Sequence, residues 1–255
     1  MSTVTFHSIG RFGNFLFQCA AAIGYAKKYN MKWLCPSNFG ENPTIYSSFP
    51  NLPVGEFWGG ERYEAHDASM FSYQEIPYFP QGVKLIGFFQ SEKYFKNAEE
   101  EVREAFKLID FPELRDYCSI HIRLTDYIIY SNSFPPITAD YLREAFKLFP
   151  SAQKYLVFSD DIEGARKMFE LYFPAAPNIE YSEGDPKDPM KNFCMMASCS
   201  HNIIANSSYS WWAAWLNKNS NKVVVSPHAT SWFGPNGPTK TEDLIPDSWH
   251  QIKFR

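Results

Sequence analysis

This 255-residue chain is poor in several things, and each shortage excludes a class of protein. Its five cysteines, Cys19, Cys35, Cys118, Cys194 and Cys199, form no CxxC pair and no metal-ligand spacing. Neither a zinc module nor a disulfide framework is expected; buried free thiols in a reducing compartment are. No dense Lys/Arg run accompanies the formal net charge of -4, so there is no basic stripe to meet a nucleic-acid backbone. No apolar run is long enough to span a bilayer, and residues 4–9 follow Met1 without a basic leader. The expectation is a cytoplasmic protein with no stable membrane anchor. GxGxxG and Walker loops are absent, which disfavours a Rossmann dehydrogenase or a P-loop enzyme. Internal repeats and low-complexity tracts are lacking too.

What remains is rich in apolar surface. Hydrophobic residues make up 45% of the chain and aromatics 18%, enough for a substantial core and far from a disordered composition. The length suits one large domain or two smaller ones.

The second half alternates strand and helix: strand 118–123, helix 138–149, strand 154–159, helices 162–172 and 188–198, strand 201–205, helix 208–217, strand 222–226. That alternation predicts a parallel sheet with helices on its faces. The first half opens likewise, with strand 3–9, helix 14–29 and strand 31–35, then loosens into loops over 36–82 before strand 83–89 and helix 92–108. Asp110-Phe111-Pro112 stops the helical pattern, so the division is placed between 1–112 and 113–255. The fold class expected is α/β, two Rossmann-like lobes with the carboxyl edges of their sheets facing a shared cleft.

Polar clusters follow three apolar strands of the second lobe: His121 to Asp126, then Ser159-Asp160-Asp161, then Asn206-Ser207-Ser208. In an extended chain Cys118, Ile120 and Ile122 share one face while Ser119, His121 and Arg123 share the other. Arg123 offers a forked permanent cation for phosphate oxygens, and Ser207 with Ser208 opens a helix whose free N–H groups attract anions. Asp160 or Asp161 can accept from a purine or a ribose hydroxyl. The set reads as a nucleotide-diphosphate site. Plainer readings stand beside it: Asp161 and Ser207 or Ser208 as helix caps, His121 as a satisfied structural histidine, and Asp126 as the partner of Arg123. Asn206-Ser207-Ser208 also matches a glycosylation sequon, an accidental match in a cytoplasmic chain. Adjacent carboxylates at a strand end diverge, so no metal is expected.

In the first lobe, Gly10-Arg11-Phe12-Gly13-Asn14 joins strand to helix. Two readings stay open there: a turn that lets backbone approach a ligand, or an ordinary loop with Asn14 as N-cap.

Gly10 to Gln18 (GRFGNFLFQ), Ser119 to Tyr127 (SIHIRLTDY), Phe158 to Asp161 (FSDD) and Ile204 to Leu216 (IANSSYSWWAAWL), in that order, resemble the alpha-1,2-fucosyltransferases. The resemblance implies a B-type glycosyltransferase fold, with GDP-fucose held by the second lobe and a glycan acceptor by the first. It implies inversion at the fucose anomeric carbon without a metal or other cofactor. Carried over by residue, Arg123 would hold the diphosphate, and His121, Ser159, Asp160 or Asp161 and Asn206 would line the nucleotide site. Ser207 and Ser208 would meet the phosphates, with Gly13 and Asn14 approaching from the other lobe. Asp126 is the nominal base, or else the residue that orients Arg123. Leu124 stands where the family commonly has a second arginine, and Phe15 where it has a glutamine. A related deoxyhexose donor, or a catalytically silent binding protein, therefore stays open.

Overall fold

The computed structural model describes residues 2–37, 45–57, 59–65, 71–150, 153–175, 178–183 and 189–254. It divides into two compact units, Met1–Lys107 with Pro238–Pro246, and Leu108–Gly237 with Asp247–Arg255. The contact division thus falls at 107/108 rather than 112/113, and a short later segment joins the first unit.

In chain order the first unit holds β1 (Thr3–Phe6), α1 (Phe12–Tyr29), β2 (Lys32–Trp33), α2 (Ile45–Ser48), β3 (Glu61–Glu64), β4 (Val83–Ile86) and α3 (Glu99–Ala105). Its strands form a parallel sheet in the order β2-β1-β4-β3. Helix α1 buries an almost unbroken run from Phe15 to Ala26, so it is held by packing more than by amphipathic segregation. It stops at Asn30, which takes the left-handed conformation (φ 51°) and bonds back to Ala26 and Lys27 carbonyls, while Lys27 and Lys28 complement the helix dipole.

The helix begins at Phe12 with Arg11 in the N-cap position and no side-chain cap, so Asn14 lies inside the helix, not at its cap. Strand 83–89 ends early because Gly87 and Phe89 both adopt positive φ, 151° and 51°, incompatible with a continuing ladder. Helix 92–108 is broken into two 3-10 turns, Glu92–Tyr94 and Lys96–Ala98, ahead of α3, because Phe95 leaves helical dihedrals. Of the region read as loops, residues 38–44, 58 and 66–70 lie outside the described residues.

The second unit holds β5 (Tyr117–Ile122), α4 (Thr125–Ile129), α5 (Ala139–Phe146), β6 (Lys154–Ser159), α6 (Ile162–Tyr172), β7 (Ile179–Tyr181), α7 (Pro189–Ser198), β8 (His201–Ile203), α8 (Ser208–Leu216), β9 (Val224–Pro227) and β10 (His250–Ile252). All neighbouring strands are parallel, in the order β10-β9-β8-β5-β6-β7. From β5 the chain steps outward through β6 and β7, then returns to β5's other side and steps outward through β8, β9 and β10. Strand order therefore reverses between β5 and β8, the switch point beside which open α/β sheets bind ligands.

The alternation read along β5 holds. Cys118, Ile120 and Ile122 join Ile203, Ala205 and Val225 in one apolar face under Tyr141, Leu142 and Ala145 of α5 and Ala165 and Phe169 of α6. The buried Tyr141 hydroxyl donates to the carbonyls of Ile204 (2.8 Å) and Val225 (3.1 Å), satisfying its only polar atom. On the opposite face, Asn202 donates to Ser119 Oγ (2.7 Å) and the Met196 carbonyl (2.8 Å), while Asn217 donates to Asn202 Oδ1 (2.8 Å). That buried amide network ties the end of α8 to β8. With Trp211 and Trp212 fully buried, the helix is fixed against the sheet, and truncating either tryptophan would cost about 3–5 kcal/mol.

All five cysteines are buried free thiols. Among the described residues no helix is long and apolar enough to cross a membrane.

Candidate active site

Two short segments meet at the switch point of the second unit: residues 121–127, where β5 runs out into α4, and residues 204–209, where β8 runs out into α8. Arg123 is the first residue past β5. Its Nη2 donates to Asp126 Oδ1, its Nε lies 3.4 Å from Asp160 Oδ2, and the guanidinium stands 5.2 Å from the centre of the Tyr127 ring. The Nε approach is an ion pair without an aligned hydrogen bond. Such a tightly held cation is oriented before any ligand arrives, which is what bidentate anion recognition uses.

Asp160 does more than sit near Arg123. Its Oδ1 accepts the Leu124 N–H at 2.9 Å and its Oδ2 accepts the Thr125 hydroxyl, so it fixes the turn that starts α4. Asp161 faces away, capping α6 through Gly164 N–H (2.9 Å), and Ser159 Oγ accepts the Asp161 N–H (3.0 Å). Ser159 and Asp161 therefore build the β6–α6 turn, the capping role weighed for Asp161 in the sequence.

The Tyr127 hydroxyl donates to the Asn206 carbonyl at 2.8 Å, joining the two strand tips. Asn206 is buried, and its amide donates to the carbonyls of Pro135 (3.0 Å) and Trp232 (2.7 Å); an amide so engaged is no glycan acceptor. Ser207 occupies the N-cap position of α8 without a side-chain cap bond, and Ser208 begins the helix. The amides opening α8 lie at the carboxyl edge of the sheet, where a helix N-terminus favours negative charge.

His121 is 5% exposed, packs 5.7 Å from the Tyr209 ring, and leaves Nδ1 buried without a hydrogen bond. Burial, reinforced by the Arg123 charge and opposed by Asp160, pulls its pKa down to about 3. The ring is neutral, and its Nδ1 is a polar atom awaiting a partner. The bland alternative, a satisfied structural histidine, does not describe it.

In the first unit, Gly10 has φ 74°, and a Cβ there would fall 2.3 Å from Asn14 Nδ2. Asn14 Oδ1 accepts from Gln90 Nε2 at 2.8 Å, linking the turn after β1 to the segment after β4, two strands that are neighbours in the sheet. Gln18 makes a paired bond to the Ile9 backbone, accepting from its N–H (3.2 Å) and donating to its carbonyl (3.1 Å). Gly13 is buried within α1. Sequence reading missed Gln90 and Tyr127 as supports.

A buried imidazole, a guanidinium held between two carboxylates and a helix N-terminus thus gather at one switch point. The model of glycosyl transferase family 11 matches residues 52–252. The chain belongs to glycosyl transferase family 11. This is the family to which the resemblance to alpha-1,2-fucosyltransferases pointed, and the second-unit site lies wholly inside the matched region. An alpha-1,2-colitosyltransferase of Escherichia coli is 31% identical over 191 residues, 67% of this chain and 63% of that protein. The O-antigen biosynthesis glycosyltransferase WbnK of Escherichia coli is 38% identical over 141 residues, 51% of this chain and 43% of the relative. The galactoside alpha-(1,2)-fucosyltransferase 1 of Rattus norvegicus is 25% identical over 235 residues, 81% and 61% respectively. The matches span less than two thirds of these relatives' own lengths.

Proposed function

We propose that this family 11 chain is an inverting glycosyltransferase that moves L-fucose from GDP-fucose to a glycan hydroxyl, forming an alpha-1,2 linkage. The observation that carries the reading is Arg123 held at the β5/β8 switch point opposite the opening of α8. Displacement at the anomeric carbon builds negative charge on the departing diphosphate. Arg123 and the α8 amides stabilise that charge, and one such donor is worth about 3 kcal/mol of barrier.

In this reading His121 and Asn206 line the nucleotide pocket, and Ser207 and Ser208 meet the phosphates. Gly13 and Asn14 of the first unit are assigned to the donor as well. The acceptor proton passes to Asp126 or to the leaving phosphate. Charge stabilisation by Arg123 lets the reaction run without a metal or other cofactor. In this reading the protein works in the cytoplasm on a nucleotide sugar and a glycan acceptor. The similarity to a colitosyltransferase, together with Leu124 in place of the family's second arginine, favours one second reading: a related deoxyhexose as donor.

The test is thermal denaturation with and without GDP. Saturating GDP is expected to raise the melting temperature of the intact protein and to leave the Arg123→Ala variant unmoved, while that variant melts cooperatively on its own. No GDP shift in the intact protein would overturn the reading.

A further inference from the structure

The guanidinium of Arg123 has two of its three nitrogens flanked by carboxylates: Nη2 bonded to Asp126, and Nε 3.4 Å from Asp160. Nη1 makes no hydrogen bond to the described residues. Asp160 cannot easily be spared from this arrangement, since its two oxygens also take the Leu124 N–H and the Thr125 hydroxyl. One carboxylate thereby pins the backbone directly after Arg123, the start of the helix carrying Asp126 and Tyr127, and the Nε side of the guanidinium. Its side chain is 19% exposed and that of Arg123 17%, so solvent screens the pair incompletely.

We propose that Asp160 is a positioning residue that acts through Arg123, turning its Nη1 edge toward the donor diphosphate, and that it does not itself read the nucleoside. This rests on the donor site proposed above. The physical basis is that a planar fork binds phosphate well only in one orientation. A carboxylate on Nε fixes rotation about the end of the side chain, and the turn fixes the backbone from which that side chain springs. Removing the charge at 160 leaves the arginine cationic but free to rotate, so the loss falls on orientation rather than on charge.

The experiment is a double-mutant cycle read by calorimetric GDP affinity. Asp160→Asn keeps an acceptor for the Leu124 N–H and loses the ionic contact. Paired with native Arg123, it is expected to weaken GDP roughly tenfold, a typical value for a charged contact. In an Arg123→Lys background the same change is expected to cost less than twofold, because an ammonium has no fork to orient. An equal loss in both backgrounds would mean that Asp160 touches the nucleotide directly, and a loss under twofold beside native Arg123 would mean that it positions nothing; either overturns the proposal. Absence of GDP binding by the wild-type protein would instead sink the donor site itself. Should Asp160→Asn unfold, Thr125→Val releases one oxygen of the same carboxylate, with a smaller loss expected that again disappears with Lys at 123. No loss beside native Arg123, or one that persists with Lys there, would equally refute it.

Discussion

The hydroxyl of Tyr127 donates to the backbone carbonyl of Asn206 at 2.8 Å, across the point where strand order reverses, while its ring lies beside the Arg123 guanidinium at 5.2 Å. One side chain thus holds both halves of the candidate phosphate site. Because β5 and β8 are hydrogen-bonded only as far as Ile120 and Ile203, the tips beyond them depend on such cross-links.

Tyr127→Phe keeps the ring and deletes the bond, leaving a buried carbonyl unpaired. A loss of about 1–3 kcal/mol is expected, together with a rise in GDP dissociation constant as Arg123 and α8 lose their common tie. Urea denaturation and GDP titration of the same variant check both parts. Unchanged stability would show that the bond does not form in solution.

Asp161→Ala separates two roles that adjacent carboxylates share in the sequence. Since Asp161 caps α6 through Gly164, the substitution is expected to cost about 1 kcal/mol of stability and to leave GDP affinity within twofold of wild type. A tenfold loss of affinity would place Asp161 on the nucleotide.

The faces of β5 were readable from the sequence because one side is buried over its whole length, and a two-residue period then fixes which side chains go where. Arg123 with Asp126 was readable because they lie three residues apart. Asp160 with Thr125 was not, since 35 residues separate them and only the β5–β6 register brings them together. The strand β3 (Glu61–Glu64) was missed because exposed charged residues dominate it; its pairing to β4, not its composition, makes it a strand. The start of α1 was set two residues late because the glycines of the turn resemble a cap, whereas Gly13 is already helical.

Gly10→Ala tests the first-unit turn. A positive φ and a Cβ placed 2.3 Å from Asn14 Nδ2 together demand that the turn or the Asn14–Gln90 bond give way, at a cost of about 1–3 kcal/mol. Sugar transfer is expected to fall at least tenfold while GDP affinity stays near wild type, because the proposed diphosphate contacts belong to the second unit. Kinetics with saturating donor, beside GDP calorimetry, distinguish this from a general loss of fold.

Treatment with a chelator such as EDTA is expected to leave the transfer rate unchanged, since the proposed mechanism assigns the leaving-group charge to Arg123 and the α8 amides rather than to a divalent ion. A rate that drops on chelation and returns with added magnesium or manganese would refute metal independence.

The pH dependence of stability should carry the signature of His121. Its folded pKa, pulled to about 3 chiefly by burial and then by Arg123, lies below the ordinary imidazole value of about 6.5. Between those values the unfolded chain binds a proton that the native chain refuses, so stability is full above about pH 6.5 and declines as pH falls toward 3. His121→Phe retains a ring beside Tyr209 and removes the titrating group. Urea midpoints measured from pH 7.5 down to pH 4 are expected to fall less steeply in the variant than in the wild type. Parallel slopes would mean that the histidine is solvated or charged in the native state, and that its Nδ1 is not buried without a partner.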